Sequence, residues 1–402
     1  MARLLFTIVL LGLMARVAYV VWYPQEPVAL DAEGYDRAAE ALLNTRLDAG
    51  AGRGPVYPAF LAATYKAFGH SYTAVRIEQA LMVSVTALLT FVLARSIFGA
   101  DRGLVAAWLV SFYPGFLFYS GLVLTETVFA LLLTLFAVCV VQAQRRGGFG
   151  WAAASGVVLG LATLCRTEII VAAVPVAAWL VWKQPVARGV KQSIVLLVVT
   201  MLTVAPWALR QPASGGRAVA ANGGLAATVW LSTYPGDWPE WYENREPLRS
   251  LLACNCDSRE LQARFMRAAI RNLTDSPGQY LAMSAKRFGR FWVGSHSIVV
   301  RGLEPSFRSA LENGDVAVLS AKALLLSVNM VLIALGFAGM YARRASWQAW
   351  FPLILVIGVI NSVHVVLFST SRYQIPIMPL VLVLAAPVVH GLVRGPQARK
   401  VT

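Results

Sequence analysis

Carboxylates and guanidinium groups recur in short motifs at the borders of apolar runs, and each type suggests a definite chemistry. A carboxylate where the chain meets the membrane surface can take a proton from an attacking hydroxyl. Arginines at the same depth can hold a phosphate and stabilise the negative charge that builds on it as a leaving group. The first candidate base is Asp31, in Leu30-Asp31-Ala32-Glu33-Gly34-Tyr35-Asp36. It falls at or before the first turn of a short interfacial helix, where a carboxylate serves equally well as a cap. Glu33 and Asp36 read as weaker, solvated candidates. Asp36, Arg37 and Glu40 are spaced for one helix face. Arg53 follows in Arg53-Gly54-Pro55-Val56-Tyr57-Pro58.

Glu126, in Leu124-Thr125-Glu126-Thr127, lies within an apolar stretch, where an ionisable group is a functional candidate by default. An ion pair with Arg166 is an equal reading, and Arg166 and Glu168 carry the same ambiguity. Arg210 reads as an anion contact or a surface anchor. Arg372, in Ser371-Arg372-Tyr373-Gln374, snorkels to the surface or pairs with a lipid phosphate. His364, on one face with Asn361, reads first as an interhelical residue and only second as a catalyst. Asn222-Gly223-Gly224 has no Lys-Ser/Thr after it, which excludes a nucleotide P-loop. Cys139 and Cys165 fall in spans and Cys254 and Cys256 are one residue apart, so the four cysteines make no disulfide framework, and no Cys/His spacing matches zinc.

The elements that position these groups must be membrane helices. Of 402 residues, 58% are hydrophobic and 14% charged, against about 25% charged in a soluble domain. The net charge of +15 would suit nucleic acid, but basic loops in a polytopic protein set its orientation instead. Apolar runs occur at 4–23, 75–98, 104–119, 122–141, 151–164, 169–182, 194–207, 317–341, 350–368 and 376–389, about ten spans. The first, with Arg3 before it and Arg16 within it, reads as a retained signal anchor.

Arg95 and Arg102, then Arg145 and Arg146, then Lys183, Arg188 and Lys191, then Arg343 and Arg344, then Arg394, Arg399 and Lys400 fall in alternate loops. This places both termini in the cytoplasm. Basic loops on both sides of 151–182 require two crossings that turn at Cys165-Arg166-Thr167-Glu168. Each arm of about 14 residues reaches roughly 21 Å against about 30 Å of hydrocarbon, so the turn is recessed. The opposite side receives the loop 24–72 and the segment 211–316. In the latter, Asp257 and Glu260 form a capping-box pattern before an amphipathic helix, and Lys286 to Trp292 is basic and aromatic. Trp230, Tyr234, Trp238, Trp241 and Tyr242 read as an interfacial belt or a surface for sugar stacking.

The ordered set Asp31-x-x-Gly34-Tyr35, Arg53-Gly54-Pro55-x-Tyr57-Pro58, Leu124-Thr125-Glu126, Arg166-x-Glu168, Pro206-Trp207-x-x-Arg210, Asn222-Gly223-Gly224 and Arg372-Tyr373-x-x-Pro376 resembles bacterial membrane glycosyltransferases of the protein mannosyltransferase and lipid A aminoarabinose transferase type. The resemblance covers nearly the whole chain. It implies an all-α polytopic membrane protein with the family C glycosyltransferase fold, amphipathic helices on the outer face, and one transmembrane domain over 1–402 whose last spans are 317–393. It also implies an inverting transfer from a polyprenyl-phosphate-linked sugar donor at the outer face of the inner membrane, with Asp31 at the position of the base.

Arg53, Arg166, Arg210 and Arg372 form the pool of phosphate contacts; Glu33, Tyr35, Tyr57, Glu126, Glu168 and Tyr373 complete the substrate-binding candidates. The resemblance implies no nucleic-acid partner. A divalent cation bridging Asp31 and Glu126 is compatible with the chemistry but not required by it. The acceptor expected is a lipid or glycan; a protein acceptor is less supported because the chain is shorter than many relatives. A flippase or transporter of lipid-linked glycans is the competing class.

Overall fold

The apolar runs fold as helices, as a chain in hydrocarbon must satisfy its backbone internally. A computed structural model describes residues 1–22, 30–44, 53–209, 225–234, 246–253 and 258–394. Arg210, Asn222-Gly223-Gly224, Trp238, Trp241, Tyr242, Cys254, Cys256 and Asp257 lie outside the described residues. The first span is α1 (Ala2–Trp22), and two shorter helices follow, α2 (Leu30–Leu43) and α3 (Val56–Phe68). The long helix α4 (Tyr72–Phe98) starts where the Ser71 hydroxyl accepts the Ala74 amide at 3.3 Å, and it stops at Gly99, whose φ is 96°.

The run 104–119 is not one helix. It divides into α5 (Ala100–Ser111) and α6 (Pro114–Tyr119), because Pro114 has no N–H with which to continue the preceding ladder. Next come α7 (Glu126–Arg146), closed by the left-handed Gly147, and α8 (Phe149–Cys165). A 3₁₀ turn, Thr167–Ala172, leads into α9 (Ala173–Lys183), and α10 (Val186–Ala208) completes this half.

The segment after α10 supplies α11 (Leu225–Thr233), α12 (Glu246–Leu252), α13 (Ser258–Asp275), α14 (Pro277–Trp292) and α15 (Phe307–Glu312). The chain then returns through α16 (Val316–Ala342), α17 (Trp347–Val366), a 3₁₀ segment Ser371–Ile377 and α18 (Met378–Arg394). Regular structure among the described residues is helical throughout. Among the described residues seven helices are long and apolar enough to cross a membrane, so this is a multi-pass membrane protein. The expected count of ten differs by the runs realised as the broken α5–α6 pair, the 17-residue α8 and the 11-residue α9.

Almost every side of α7 is covered, and it runs through the middle of the bundle. Helices α8 and α10 approach closely at Gly156 and Gly160: a Cβ at Gly156 would lie 2.7 Å from the Leu196 carbonyl oxygen, and one at Gly160 2.5 Å from Thr203 Cβ. Small residues four apart let two membrane helices meet at backbone distance. Ion pairs and amide bonds gather at the two ends of the bundle. One end joins Asp101 to Arg394 at 2.6 Å and the Gln184 side chain to the Gln144 carbonyl; the other contains the acids and arginines described below.

Arg16 has a role that its position within an apolar run did not suggest. It is buried, and its guanidinium donates to the Ser111 carbonyl and to the Ser84 hydroxyl, each at 2.8 Å. A cation thus closes the carbonyl end of α5 and ties α1 to α4 and α5. Arg16→Met is expected to destabilise the fold by about 1–3 kcal/mol, the cost of stranding a buried hydrogen-bonding group. A lowered thermal midpoint of the detergent-solubilised protein checks this; an unchanged midpoint contradicts it.

The segment from α11 to α15 has its own small core of Trp230, Leu231, Leu261, Phe265 and Ala269. Trp230, expected at the surface, is buried there because α13 lies across it. Glu260, expected in a capping box, pairs with Arg267 at 2.9 Å and Arg264 at 3.7 Å. Arg287 on α14 straps this unit to the bundle, donating to the Val366 and Ser232 carbonyls at 3.1 and 2.5 Å.

Candidate active site

Four helix ends and turns that are far apart in sequence converge at one end of the bundle. Asp31 comes from the first turn of α2, Glu126 from the first residue of α7, Arg166 from the turn after α8, and Arg372 from the 3₁₀ segment before α18. Arg372 is the bridge. Its Nη1 donates to Asp31 Oδ2 at 2.8 Å, and its Nε donates to Glu126 Oε1. Arg166 Nη1 reaches the same Glu126 oxygen at 3.5 Å, while its Nε donates to Glu168 Oε1 at 2.8 Å. Arg53 Nη1 stands 3.9 Å from Asp31 Oδ1.

The charges therefore alternate from Arg53 through Asp31, Arg372, Glu126 and Arg166 to Glu168. Both readings of Glu126 meet here, since it pairs with Arg166 and also with Arg372. Its side chain is fully buried, and its second oxygen, Oε2, has no hydrogen-bond partner among the described residues. The Asp31 carboxylate, by contrast, is half exposed, so it is reachable from water.

Close approach builds this geometry. A Cβ on Gly34 would lie 2.1 Å from Arg53 Nη2, and one on Gly54 would lie 2.1 Å from the Leu164 carbonyl oxygen. Glycine at both positions lets the first loop lie directly on α2 and on the end of α8. Arg53 then sits 4.5 Å from the Tyr35 ring centroid, and Tyr35 meets Tyr57 edge-on at 5.0 Å. Tyr57 is itself fully buried and donates to Gln79 Oε1 at 3.0 Å, so it supports Tyr35 from below instead of facing the opening.

Tyr373 lies between two site residues. Arg166 stands 4.8 Å over its ring on one contact, and the His364 ring stacks on it at 4.1 Å with an interplanar angle of 8°. His364 Nδ1 bonds the Phe368 carbonyl at 3.0 Å, and Nε2 faces Glu168 at 3.7 Å, so the interhelical reading of this histidine matches its placement.

Of the two acids of α2 read as solvated, one is and one is not. Glu33 is exposed, and two residues along it falls about 200° around the helix from Asp31, away from Arg372. Asp36, expected to be solvated, is largely covered and accepts from Tyr65 at 2.6 Å and Tyr72 at 2.9 Å, with His70 Nε2 at 3.0 Å.

A second polar set went unread in the sequence. Asn329 Nδ2 donates to the Gly294 carbonyl at 2.9 Å and to Gln374 Oε1 at 3.1 Å, and Asn329 Oδ1 accepts Tyr113 at 2.8 Å. His296 Nε2 meets the same Gln374 oxygen at 3.2 Å. This network fixes the residue two after Arg372. Its one sequence signal was Asn329, an amide in the middle of an apolar run.

Burial pushes His296 down to about 4, against a partial upward pull from Gln374. The folded state holds it neutral, while the unfolded chain takes up a proton near 6.5. Its contribution is therefore intact above about 6.5 and is lost as the pH falls toward 4. The thermal midpoint of His296→Gln should fall less than that of the wild type between pH 6.5 and 4; equal falls would refute the assignment.

The sequence profile of the dolichyl-phosphate-mannose-protein mannosyltransferase family matches residues 52–209. The oligosaccharyltransferase of Archaeoglobus fulgidus, tethered with an acceptor peptide containing the NVT sequon, superposes over 96% of this chain with a TM-score of 0.55 and 14% identity. The chain has the family C glycosyltransferase fold.

The same archaeal enzyme in complex with an inhibitory peptide and a dolichol-phosphate gives a TM-score of 0.51 at 15% identity over 96% of this chain. These superpositions cover 49% and 50% of that enzyme, so the chain spans about half its length. ArnT from Cupriavidus metallidurans, bound to undecaprenyl phosphate, aligns over 99% of this chain and 80% of its own at 16% identity, with a TM-score of 0.41. No curated protein sequence matches the chain significantly. Within this family C fold the profile match contains Arg53, Glu126, Arg166 and Glu168. Asp31 and Arg372 fall outside it and join the site through Arg372's two ion pairs.

Proposed function

We propose that this protein is an inverting glycosyltransferase that moves a sugar from a polyprenyl-phosphate donor to a hydroxyl of a lipid or glycan acceptor, at the outer face of a bacterial inner membrane. The observation that carries the reading is Arg372, held between Asp31 and Glu126 at the end of the bundle where Arg166 and Arg53 also gather. The family whose profile matches residues 52–209 is named for a dolichyl-phosphate-linked sugar, which supports a lipid-phosphate donor.

The three arginines and three carboxylates sum to zero, so an incoming phosphodiester must take a guanidinium from a carboxylate. The donor phosphate displaces Asp31 from Arg372 or Arg53 and leaves its carboxylate free to accept a proton. Asp31 removes the proton from the acceptor hydroxyl as that oxygen attacks the anomeric carbon. The bond from that carbon to the phosphate oxygen breaks, and the polyprenyl phosphate leaves with one more negative charge, which Arg372, Arg166 and Arg53 stabilise. Backside attack inverts the anomeric centre. Glu126, fully buried, keeps Arg372 and Arg166 in place.

The donor set does not fit a divalent ion bridging Asp31 and Glu126, because the Arg372 guanidinium stands between those carboxylates.

A flippase would carry polar groups along a path through the bundle. The central helix α7 instead runs from Val128 to Val141 with Thr134 as its one hydroxyl, bonded to its own helix at the Ala130 carbonyl. Purified protein in lipid nanodiscs, supplied with a polyprenyl-phosphate sugar and an extract of envelope lipids and glycans, is expected to release polyprenyl phosphate. Movement of intact donor between leaflets without release would favour the flippase.

A further inference from the structure

Asp31 is delivered by a helix whose apolar grip comes from the partly buried Tyr35 and Leu42 and otherwise from small residues. The fully buried residues of α2 include Ala32, Ala38 and Ala39, whose methyl groups limit tilt but set rotation about the helix axis only weakly. A rotation of one residue would move Asp31 away from Arg372 altogether.

The polar contacts of Asp36 supply what alanine cannot. At about 100° per residue, Asp36 lies about 140° around α2 from Asp31, so the helix is gripped on two well-separated sides. On the Asp36 side, Tyr65 of α3 donates to Oδ1 at 2.6 Å, Tyr72 at the start of α4 donates to Oδ2 at 2.9 Å, and His70 between them stands 3.0 Å from Oδ1. The three rings form a rack, with His70 at 4.4 Å from Tyr65 and 5.1 Å from Tyr72. Burial and then the bond to Asp36 raise the Tyr65 phenol well above its ordinary value, so it stays a donor.

We propose that Asp36, held by Tyr65, Tyr72 and His70, is a positioning residue that fixes the rotation of α2 and so holds Asp31 at the reacting hydroxyl. This rests on the reading of Asp31 as the base. Donor binding belongs to Arg372, Arg166 and Arg53, which Asp36 does not touch, so the clamp acts on turnover and not on donor affinity.

The test is steady-state kinetics in nanodiscs for Asp36→Ala, Asp36→Asn and the double variant Tyr65→Phe, Tyr72→Phe, with Asp31→Asn alongside. Asp36→Ala and the double variant are expected to lower kcat about 10- to 100-fold, the scale of an ångström-level misplacement, with the donor KM within about two-fold. Asp36→Asn, which keeps an acceptor oxygen, should recover part of the loss. The double variant removes only two hydroxyls and keeps the test sound if Asp36→Ala does not fold.

Wild-type kcat in the double variant, or kcat and donor KM changing in parallel, overturns the clamp. So does activity lost on chelation and restored by zinc. Asp36, Glu40 and His70 offer ligand atoms within 4.8 Å of one another, and that result would make them a metal site. If Asp31→Asn is inactive while the Asp36 variants turn over normally, the clamp alone fails; if Asp31→Asn is active, the base assignment fails with it.

Discussion

Asp31→Asn is expected to lower turnover roughly 10²- to 10⁴-fold, the range a positioned general base contributes, while leaving insertion and folding intact. The amide keeps the shape of the carboxylate and removes its capacity to take a proton. Asp31 is half exposed, and its pairing partner Arg372 retains Glu126, so no buried charge is stranded by the change. Release of polyprenyl phosphate by the purified variant is the measurement; wild-type turnover would refute the role of Asp31.

The second large effect belongs to Arg372. A lysine keeps the charge but is a single point donor, and it cannot meet Asp31 and Glu126 from two edges of one planar group. Arg372→Lys is therefore expected to lose about 10²- to 10³-fold in turnover, as when one preorganised donor to a developing anion is removed. Arg372→Ala goes further. It leaves Glu126 fully buried with Arg166 at 3.5 Å as its remaining cation, and breaking such a buried pair costs about 3–5 kcal/mol. The alanine variant should lose folded protein as well as activity, the lysine variant mainly activity. Size-exclusion profiles beside phosphate-release rates separate the two; a lysine variant with near-wild-type turnover would contradict the bridging role.

Much of the helical bundle was readable from the sequence, because a run of apolar residues long enough to cross a bilayer has few alternatives to helix. The exception was 104–119, where Pro114 outweighs an unbroken apolar composition. The acids and arginines at the site were readable for the same reason in reverse, as each is a charge at the edge of a run that otherwise excludes charge. Their pairing was not. Whether Glu126 meets Arg166, Arg372 or both depends on how turns forty and 246 residues away are packed.

Asp36 was misplaced because its partners Tyr65, His70 and Tyr72 lie about thirty residues on and look like ordinary interfacial aromatics. His296 gave no pattern at all. Its importance comes from Gln374 and Asn329, which reach it only after α16 and the 3₁₀ segment before α18 have returned to the same end of the bundle.

The contact between Arg372 and Asp31 closes a separation of 341 residues. A chain made from its amino terminus has α1 to α15 synthesised before Arg372 leaves the ribosome. Until then, Asp31 and Glu126 lack the guanidinium that joins them. Synthesis therefore has a built-in order: the cluster of three carboxylates and three arginines is completed only when the segment holding Arg372 packs against helices made before it.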